Sequence, residues 1–559
     1  MSIQKQKQKT MGKPKASPTE IKNKKIGFFS AILLVIGSTI GAGVFLKNGE
    51  VLFNVGGSYV LTIIAWIFSI IGVICMGLSL AEVSSANISG NLGVIGWVKT
   101  FCNKFLYKAS KNFMAFLYLP LNFFLMPYYA VMMFQDAFGW QTAWWVVALI
   151  AFACTMWFMI VSGISSRAGN IQNWIITSVK FIPLAFATIA GFVVAGITGN
   201  PMGGTTVLPD IEQTHKTFVL LSGATGILGV IGSIPAIAFS FDGFYTAAGM
   251  QSEMKEPEKT PKALVFGLLI VAVIDVLVAI SLLIGTSTSN MGKVSGLAII
   301  PHWLIAVIEI LIAVGVLGII NSFAIYNPRY FEDLIKIGDL PCPAKYKNKL
   351  NPSRPYVGLV YSGIITVIFF VVLTLIGAYG YSDVMGYSSA QLTPFLGGDS
   401  VAGYDAFGNN LNQLYSFVDL MANWTSILVF LCVLFPMAGC LINRKTKKIN
   451  VKPVNGFVPT TWIALIIIGL GMAFVVVSAF ANVIITAGWS NDIGKSIIDS
   501  SGQPFIYTQQ MWNTEMLGYA MTLVVLAIFL CICTIPSIFE VKRDKAIARG
   551  ERRINRKVC

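Results

Sequence analysis

The chain is 559 residues long, 55% of them hydrophobic and only 12% charged, and its mean hydropathy is +0.73. An ordinary soluble chain carries about twice that charged fraction, so a water-soluble core of this size would go uncovered, and no Ser/Gly/Pro-rich linker separates the apolar runs into soluble domains. The formal net charge of +15 comes without a basic folded domain, which argues against nucleic acid and for contact with anionic lipid head groups.

In chain order, residues 1–25 read as a basic tail with eight lysines. The apolar stretch after it resembles the h-region of a secretion signal, but it runs past Phe45 without a small-residue cleavage site, so it is expected to stay as a first span. Runs long enough to cross roughly 30 Å of hydrocarbon then predict twelve spans, at 26–46, 58–81, 113–135, 141–162, 171–197, 225–252, 262–285, 303–327, 355–379, 413–442, 458–487 and 515–539. A second basic tail, 540–559, closes the chain. The loops on one side carry only Lys47, Lys216, Lys293 and Lys495. Basic residues accumulate on the cytoplasmic side, so both termini are expected there, in a multi-pass protein of the cell membrane. Two outer loops, 380–412 and 488–514, are long and rich in Gly, Ser, Asn and Tyr. Their role, like the oligomeric state, is open.

Two spans are interrupted where a membrane helix should be continuous. The first reads Gly37-Ser38-Thr39-Ile40-Gly41-Ala42-Gly43-Val44-Phe45, and the sixth reads Phe239-Ser240-Phe241-Asp242-Gly243-Phe244-Tyr245. Glycines in membrane helices commonly serve close packing. A pair of breaks in corresponding places of two halves instead points to a transporter's binding site, because irregular backbone in a bilayer must line a cavity or be buried in protein. Freed N–H groups at the first break, beside the positive end of a half-helix, suit a carboxylate. Carbonyls left near Phe239 and Phe241 suit an ammonium. Together the two breaks match an α-amino acid.

Other chemistries find little support. None of the nine cysteines lies in an outer loop, so no disulfide framework is implied. Cys531 and Cys533 point to different helix faces, and His215 and His302 lack ligand partners. No metal, cofactor or enzyme site is expected, and without a GxxxxGK[ST] loop this chain is not an ATP-driven pump.

These residues resemble the amino acid–polyamine–organocation permeases, which share a LeuT-like inverted repeat. Ile36-Gly37-Ser38-Thr39-Ile40-Gly41-Ala42-Gly43-Val44-Phe45 is similar to that family's first-helix signature. Phe239-Ser240-Phe241-Asp242-Gly243-Phe244, with Ser252-Glu253-Met254-Lys255-Glu256-Pro257 and Pro261-Lys262-Ala263, resembles its sixth helix and following loop. Asn327-Pro328-Arg329 through Ile337-Gly338-Asp339-Leu340-Pro341 resembles the stretch after the eighth, and Leu80-Ala81-Glu82-Val83 the end of the second. The resemblance implies an all-α fold with a 5+5 inverted repeat, 26–197 and 225–442, discontinuous first and sixth helices, and two extra helices within 458–539. It implies that the Ala42 and Gly43 N–H groups, within Thr39, Ile40, Gly41, Ala42 and Gly43, take the substrate carboxylate. Carbonyls of Thr39, Phe239 and Asp242, in the stretch Phe239, Ser240, Phe241, Asp242 and Gly243, would take the amine. Phe239 would cover the substrate, and Asn122 would face the pocket.

Lys180 lies about 13–15 Å inside the inner end of the fifth span, too deep to snorkel, and charges at that depth are functional candidates. In proton-coupled members of the resembling family, a fifth-helix lysine replaces a sodium ion. The resemblance puts Lys180 there, with the backbone at Gly37 and the side chains of Asn321 and Ser322 as neighbours. The alternative is a structural lysine paired with an internal acid, for which Asp275 and Glu309 are candidates. Asp242 would face the cavity or cap a half-helix, and Asp419 lies near the outer end of the tenth span. Where some family members carry a pH-sensing acid, this chain has Tyr245.

The function expected is secondary active transport of amino acids by alternating access with protons as coupling ion. An exchanger and a polyamine carrier are alternatives, and a non-transporting amino acid sensor is the rival from another class.

Overall fold

The structure, a computed structural model, describes residues 27–40, 43–55, 58–86, 92–140, 142–198, 226–245, 254–256, 259–285, 300–351, 354–381, 406–498, 504–506 and 509–548. Eleven helices among them are long and apolar enough to cross a membrane. The sixth expected span supplies the shorter apolar helix Ile227–Ser240. The rest of that expected span, 246–252, lies outside the described residues.

The first apolar stretch comprises α1 (Phe28–Thr39) and α2 (Gly43–Asn54), followed by α3 (Tyr59–Ser85). Ser58 caps α3 by accepting the Leu61 N–H at 3.4 Å, which meets one of the orphan donors of a helix start. After α4 (Val94–Phe101), Asn103 caps α5 (Lys104–Phe113), accepting the Leu106 N–H at 2.8 Å. α5 passes through a π-helical turn, Met114–Tyr118, into α6 (Leu119–Phe138). Then come α7 (Trp144–Ile164), α8 (Ser166–Thr198), α9 (Gly226–Gly232), α10 (Ile234–Ser240), α11 (Thr260–Gly285) and α12 (His302–Ile337). The short α13 (Ala344–Lys347) leads to α14 (Tyr356–Leu375), α15 (Ala406–Thr446) and α16 (Phe457–Gly488). A small antiparallel hairpin, β1 (Ser496–Ile498) with β2 (Pro504–Ile506), sits in the 488–514 connection before α17 (Gln509–Ala548). Most of the 380–412 loop lies outside the described residues. α17 stays helical past the expected end of the last span at 539.

α6 is the hub, packed on α7, α12, α14 and α15. Of the most apolar window of Lys104–Phe138, 89% is buried, against 22% for Tyr356–Gly380, which separates a central helix from a peripheral one. Peripheral faces expose Ile64, Ile67 and Ile71 on α3 and Trp157 and Ile160 on α7. Such a surface suits hydrocarbon and would be an aggregation liability in water. α8 and α12 run antiparallel in close contact. A Cβ on Gly315 would lie 3.2 Å from Lys180, and one on Gly318 2.5 Å from Ile176, so small residues set the helix register here.

Two faces of the bundle follow from these contacts. The terminal face holds the end of α3, α5, the loop after α12 and the end of α17, tied by Lys108–Asp339 at 2.5 Å, Lys111–Glu540 at 2.6 Å and Glu82–Arg444 at 2.6 Å. The opposite face holds Lys47 and Asp419, 3.0 Å apart.

Candidate functional site

The two interrupted stretches meet. α1 stops at Thr39: the Ile40 N–H still reaches Ile36 O at 2.9 Å, but Ile40 turns extended at ψ 113°. α10 stops at Ser240, and Gly243 adopts φ +96°. A Cβ on Gly43 would lie 2.4 Å from the Ser240 Cα, and one on Gly243 2.6 Å from the Ser38 carbonyl. Glycine is therefore required twice, once for close approach and once also for its left-handed backbone. The Ser240 hydroxyl is buried there without a hydrogen-bond partner, and a buried polar atom left unpaired calls for an explanation such as a ligand.

Several expected ligands are already engaged. The Thr39 hydroxyl donates to Val35 O at 2.7 Å, and Ser38 donates to the same carbonyl at 3.2 Å. Gly41 and Ala42, expected to hold the carboxylate, lie outside the described residues. The Phe239 carbonyl accepts the Asp242 N–H at 3.1 Å, so the end of α10 is closed by an i→i+3 bond rather than left open. It keeps one lone pair for a further donor. The Asn122 amide donates to Tyr118 O at 2.8 Å, tying α6 to the π-helical turn. The same turn presents the Tyr118 hydroxyl to both Asp242 carboxylate oxygens at 3.0 Å. The Tyr245 hydroxyl lies 2.5 Å from Asp242 and 2.6 Å from the Tyr118 hydroxyl. Asp242 thus belongs to a tyrosine-lined cluster and caps no described helix.

Lys180 reaches the first break from α8. Its buried Nζ donates to Gly37 O and, at 2.7 Å, to Ile40 O. Gly37 is the backbone position expected beside this lysine. Asn321 and Ser322 are not brought to the lysine. Asn321 accepts from Ser162 at 2.5 Å and donates to Gly169 O at 2.8 Å, while Ser322 donates to Gly318 O at 3.1 Å. The reason is register. Lys180 opposes Gly315, and Asn321 lies six residues on, ~9 Å along α12. Among the described residues, Lys180 is not paired with an acid and Asp275 has no hydrogen-bond partner.

Sequence reasoning missed the cluster above Phe239. Lys47 Nζ donates to Glu50 at 2.8 Å, Asp419 at 3.0 Å and Asn423 at 3.2 Å. It also lies 5.6 Å from the Phe239 ring centroid, a cation–π distance. Tyr129 stacks edge-on against Phe239 at 6.2 Å and donates to Asp419 at 2.6 Å. Asp419, which sequence left as an acid near a span end, is one anchor of this cluster. Two spacings carried a signal: Lys47 and Glu50 at i,i+3, and Asp419 and Asn423 at i,i+4, each pair on one helix face. Beside the cluster opens a cavity of ≈ 220 Å³, lined in part by Glu50, Asn423, Pro235, Ala236 and Ser478.

The profile of the family described as Amino acid permease matches residues 26–498. This chain belongs to the amino acid permease family. The permease is 36% identical, over 92% of its own length and 94% of the relative's, to an uncharacterised protein of Mycoplasma pneumoniae. It is 23% identical, over 62% of its length and 77% of the relative's, to the serine/threonine exchanger SteT of Bacillus subtilis. The crystal structure of MhsT in complex with L-phenylalanine aligns with a TM-score of 0.48 at 14% identity, covering 80% of the permease and 98% of that chain. Family membership makes the permease a multi-pass membrane protein of the amino acid–polyamine–organocation superfamily and a transporter rather than an enzyme.

Proposed function

We propose that the permease moves amino acids across the cell membrane by alternating access, as a proton symporter. The observation that carries this reading is the Lys180 ammonium on the Gly37 and Ile40 carbonyls. A proton held on that amine stabilises the end of α1, and its departure weakens both bonds by removing the charge that assists them, so protonation and backbone geometry are linked. The substrate carboxylate would sit on N–H groups from Gly41 to Gly43, and the amine near Ser240 and the second lone pair of the Phe239 carbonyl. Phe239 and the Lys47 cluster would close the pocket above. The ≈ 220 Å³ cavity would be its antechamber.

This reading includes two inverted repeats, 26–197 and 225–442, with interrupted first and sixth helices, a pair of helices after them and both tails in the cytoplasm. The terminal face is then the inner one. The interrupted stretches meeting at Gly43 and Ser240 support it, as does the charge asymmetry of the loops. A second reading, exchange of one amino acid for another, is favoured by the similarity to an exchanger of serine and threonine.

Uptake of a radiolabelled amino-acid mixture into proteoliposomes, with and without an inward proton gradient, tests the assignment. Acceleration by the gradient, lost in Lys180→Ala, is expected. Uptake that ignores the gradient and needs amino acid preloaded inside would establish the exchanger. Binding without flux would establish a sensor.

A further inference from the structure

Asp275 is the most isolated charged side chain in the described interior. It lies midway along α11 on the buried stripe of Leu264, Leu268, Val271, Val278 and Leu282. Both carboxyl oxygens are buried, and neither has a hydrogen-bond partner. Two contacts place it. Gly267 abuts Val35 of α1, where an added Cβ would lie 2.6 Å away. The Ala279 carbonyl accepts the Asn48 amide of α2 at 3.4 Å. Asp275 is eight residues beyond Gly267, ~12 Å along the helix, and Gly43 is eight residues beyond Val35. The carboxyl therefore stands level with the break between α1 and α2. Lys180 reaches that break from another helix. The Gly191 N–H donates to Ser281 Oγ at 3.0 Å, and the parallel course of α8 and α11 puts Lys180 at the level of residue 270, ~7.5 Å below Asp275.

No counter-charge faces it from the elements packed around it. α1 has no titratable side chain. On α2, Lys47 and Glu50 bind each other and α15. On α3, Glu82 binds Arg444, leaving the thiol of Cys75 and the terminal Tyr59. On α8, Lys180 is spent on carbonyls and Arg167 sits in the first turn; on α11 itself Lys262 lies near the start. A bare carboxylate there would have neither water nor a counter-charge, and an ionisable side chain at that depth is a functional candidate by default.

We infer that Asp275 is a second proton-binding site of the permease, loaded in the conformation seen here and emptied in one that gives its carboxyl water. On loading, one carboxylate oxygen forms an O–H bond. On release, that O–H bond breaks, the proton passes to water, and the negative charge stays on the carboxylate. A sodium site is disfavoured, because a cation of that kind needs several oxygen ligands and neither Asp275 oxygen has a hydrogen-bond partner among the described residues. The inference rests on the transport reading for its purpose, but the site itself does not depend on Lys180.

Infrared difference spectra of the purified full chain in lipid nanodiscs, titrated with acid and base alone, test it directly. The expected result is a carbonyl stretch of a protonated carboxylic acid at neutral pH. It should shift on ¹³C-aspartate labelling, disappear in Asp275→Asn and persist in Lys180→Ala. Absence of an Asp275-dependent band at neutral pH would overturn the site. So would a band erased when sodium chloride replaces potassium chloride, since that marks a cation site. Each coupled proton multiplies the attainable accumulation ratio about tenfold per pH unit of gradient, at 1.4 kcal/mol per factor of ten. In proteoliposomes Asp275→Asn should lower gradient-driven accumulation of the labelled mixture by up to that factor, and unchanged accumulation would make Asp275 a static acid. If the wild-type chain itself ignores the gradient, the symport reading fails, and the infrared band alone decides the site.

Discussion

On the terminal face, the fully buried charges of Glu82 and Lys111 each meet one oppositely charged group, whereas on the opposite face the buried Lys47 is shared among several wetter acceptors. Glu82, with its side chain fully buried, takes Arg444 at 2.6 Å and the Val454 N–H at 2.8 Å. Lys111, equally buried, has the Glu540 carboxylate at 2.6 Å and the Asp339 carbonyl at 3.3 Å. Lys47 holds Glu50, Asp419 and Asn423, but the side chains of the two acids are 32% and 52% exposed. Each face thus sets a buried ion against a partner that water can reach. On the Lys47 side the buried member is the cation, 2% exposed, and at Glu82 it is the anion. Removing Lys47 leaves acids that return to water, whereas removing Arg444 strands a buried carboxylate, because what matters is the solvation of the group left behind.

The largest effect expected is from Arg444→Met, which leaves Glu82 as an uncompensated buried carboxylate. It should lower stability by roughly 3–5 kcal/mol, read from thermal unfolding in detergent, and a loss below about 1 kcal/mol would erase the contrast between the faces. Lys47→Met should cost about 1 kcal/mol or less in the same assay. It should also speed labelling of a cysteine placed at Ala236 by an impermeant thiol reagent. Equal losses for the two variants would mean that the solvation of the group left behind makes no difference.

The smallest effect is a pH dependence confined to the terminal face. Burial works against the Asp339 carboxylate, but bonds from Lys108 and Tyr107, with the charges of Lys108 and Lys111, outweigh it and hold this loop residue below the usual carboxylate range. A depressed folded value stabilises the fold above the ordinary pKa of about 3.9, and this stabilisation fades as pH falls through the lower folded value. Unfolding temperature should therefore drop on acidification below about pH 5, and less steeply in Asp339→Asn. Identical acid profiles for the two chains would remove Asp339 from the closure.

Much of the site could be read from residues in order. The glycines flanking Thr39 and Phe239 marked where the backbone leaves regular structure, and the depth of Lys180 followed from counting along an apolar run. Misreadings arose where partners had to be chosen. Asn321 and Ser322 were matched to Lys180 by their helix alone, yet the α8–α12 register turns them to Ser162, Gly169 and Gly318. For Asp242, read as a cavity or capping group, nothing in its own stretch foretold the bond from Tyr118, 124 residues earlier in the chain.

Sequence by itself determined the solvent this chain folds in, the positions of its apolar runs and breaks, and the family to which it belongs. These depend on transfer free energy and backbone freedom, which each residue carries locally. Tertiary structure alone decided that Gly43 meets Ser240, that Lys47 is buried over Phe239 and that Asp275 has no partner among the described residues. Those outcomes depend on which helix faces meet and at what register, and in this bundle small residues such as Gly315 and Gly318 let one helix settle against another at a single depth.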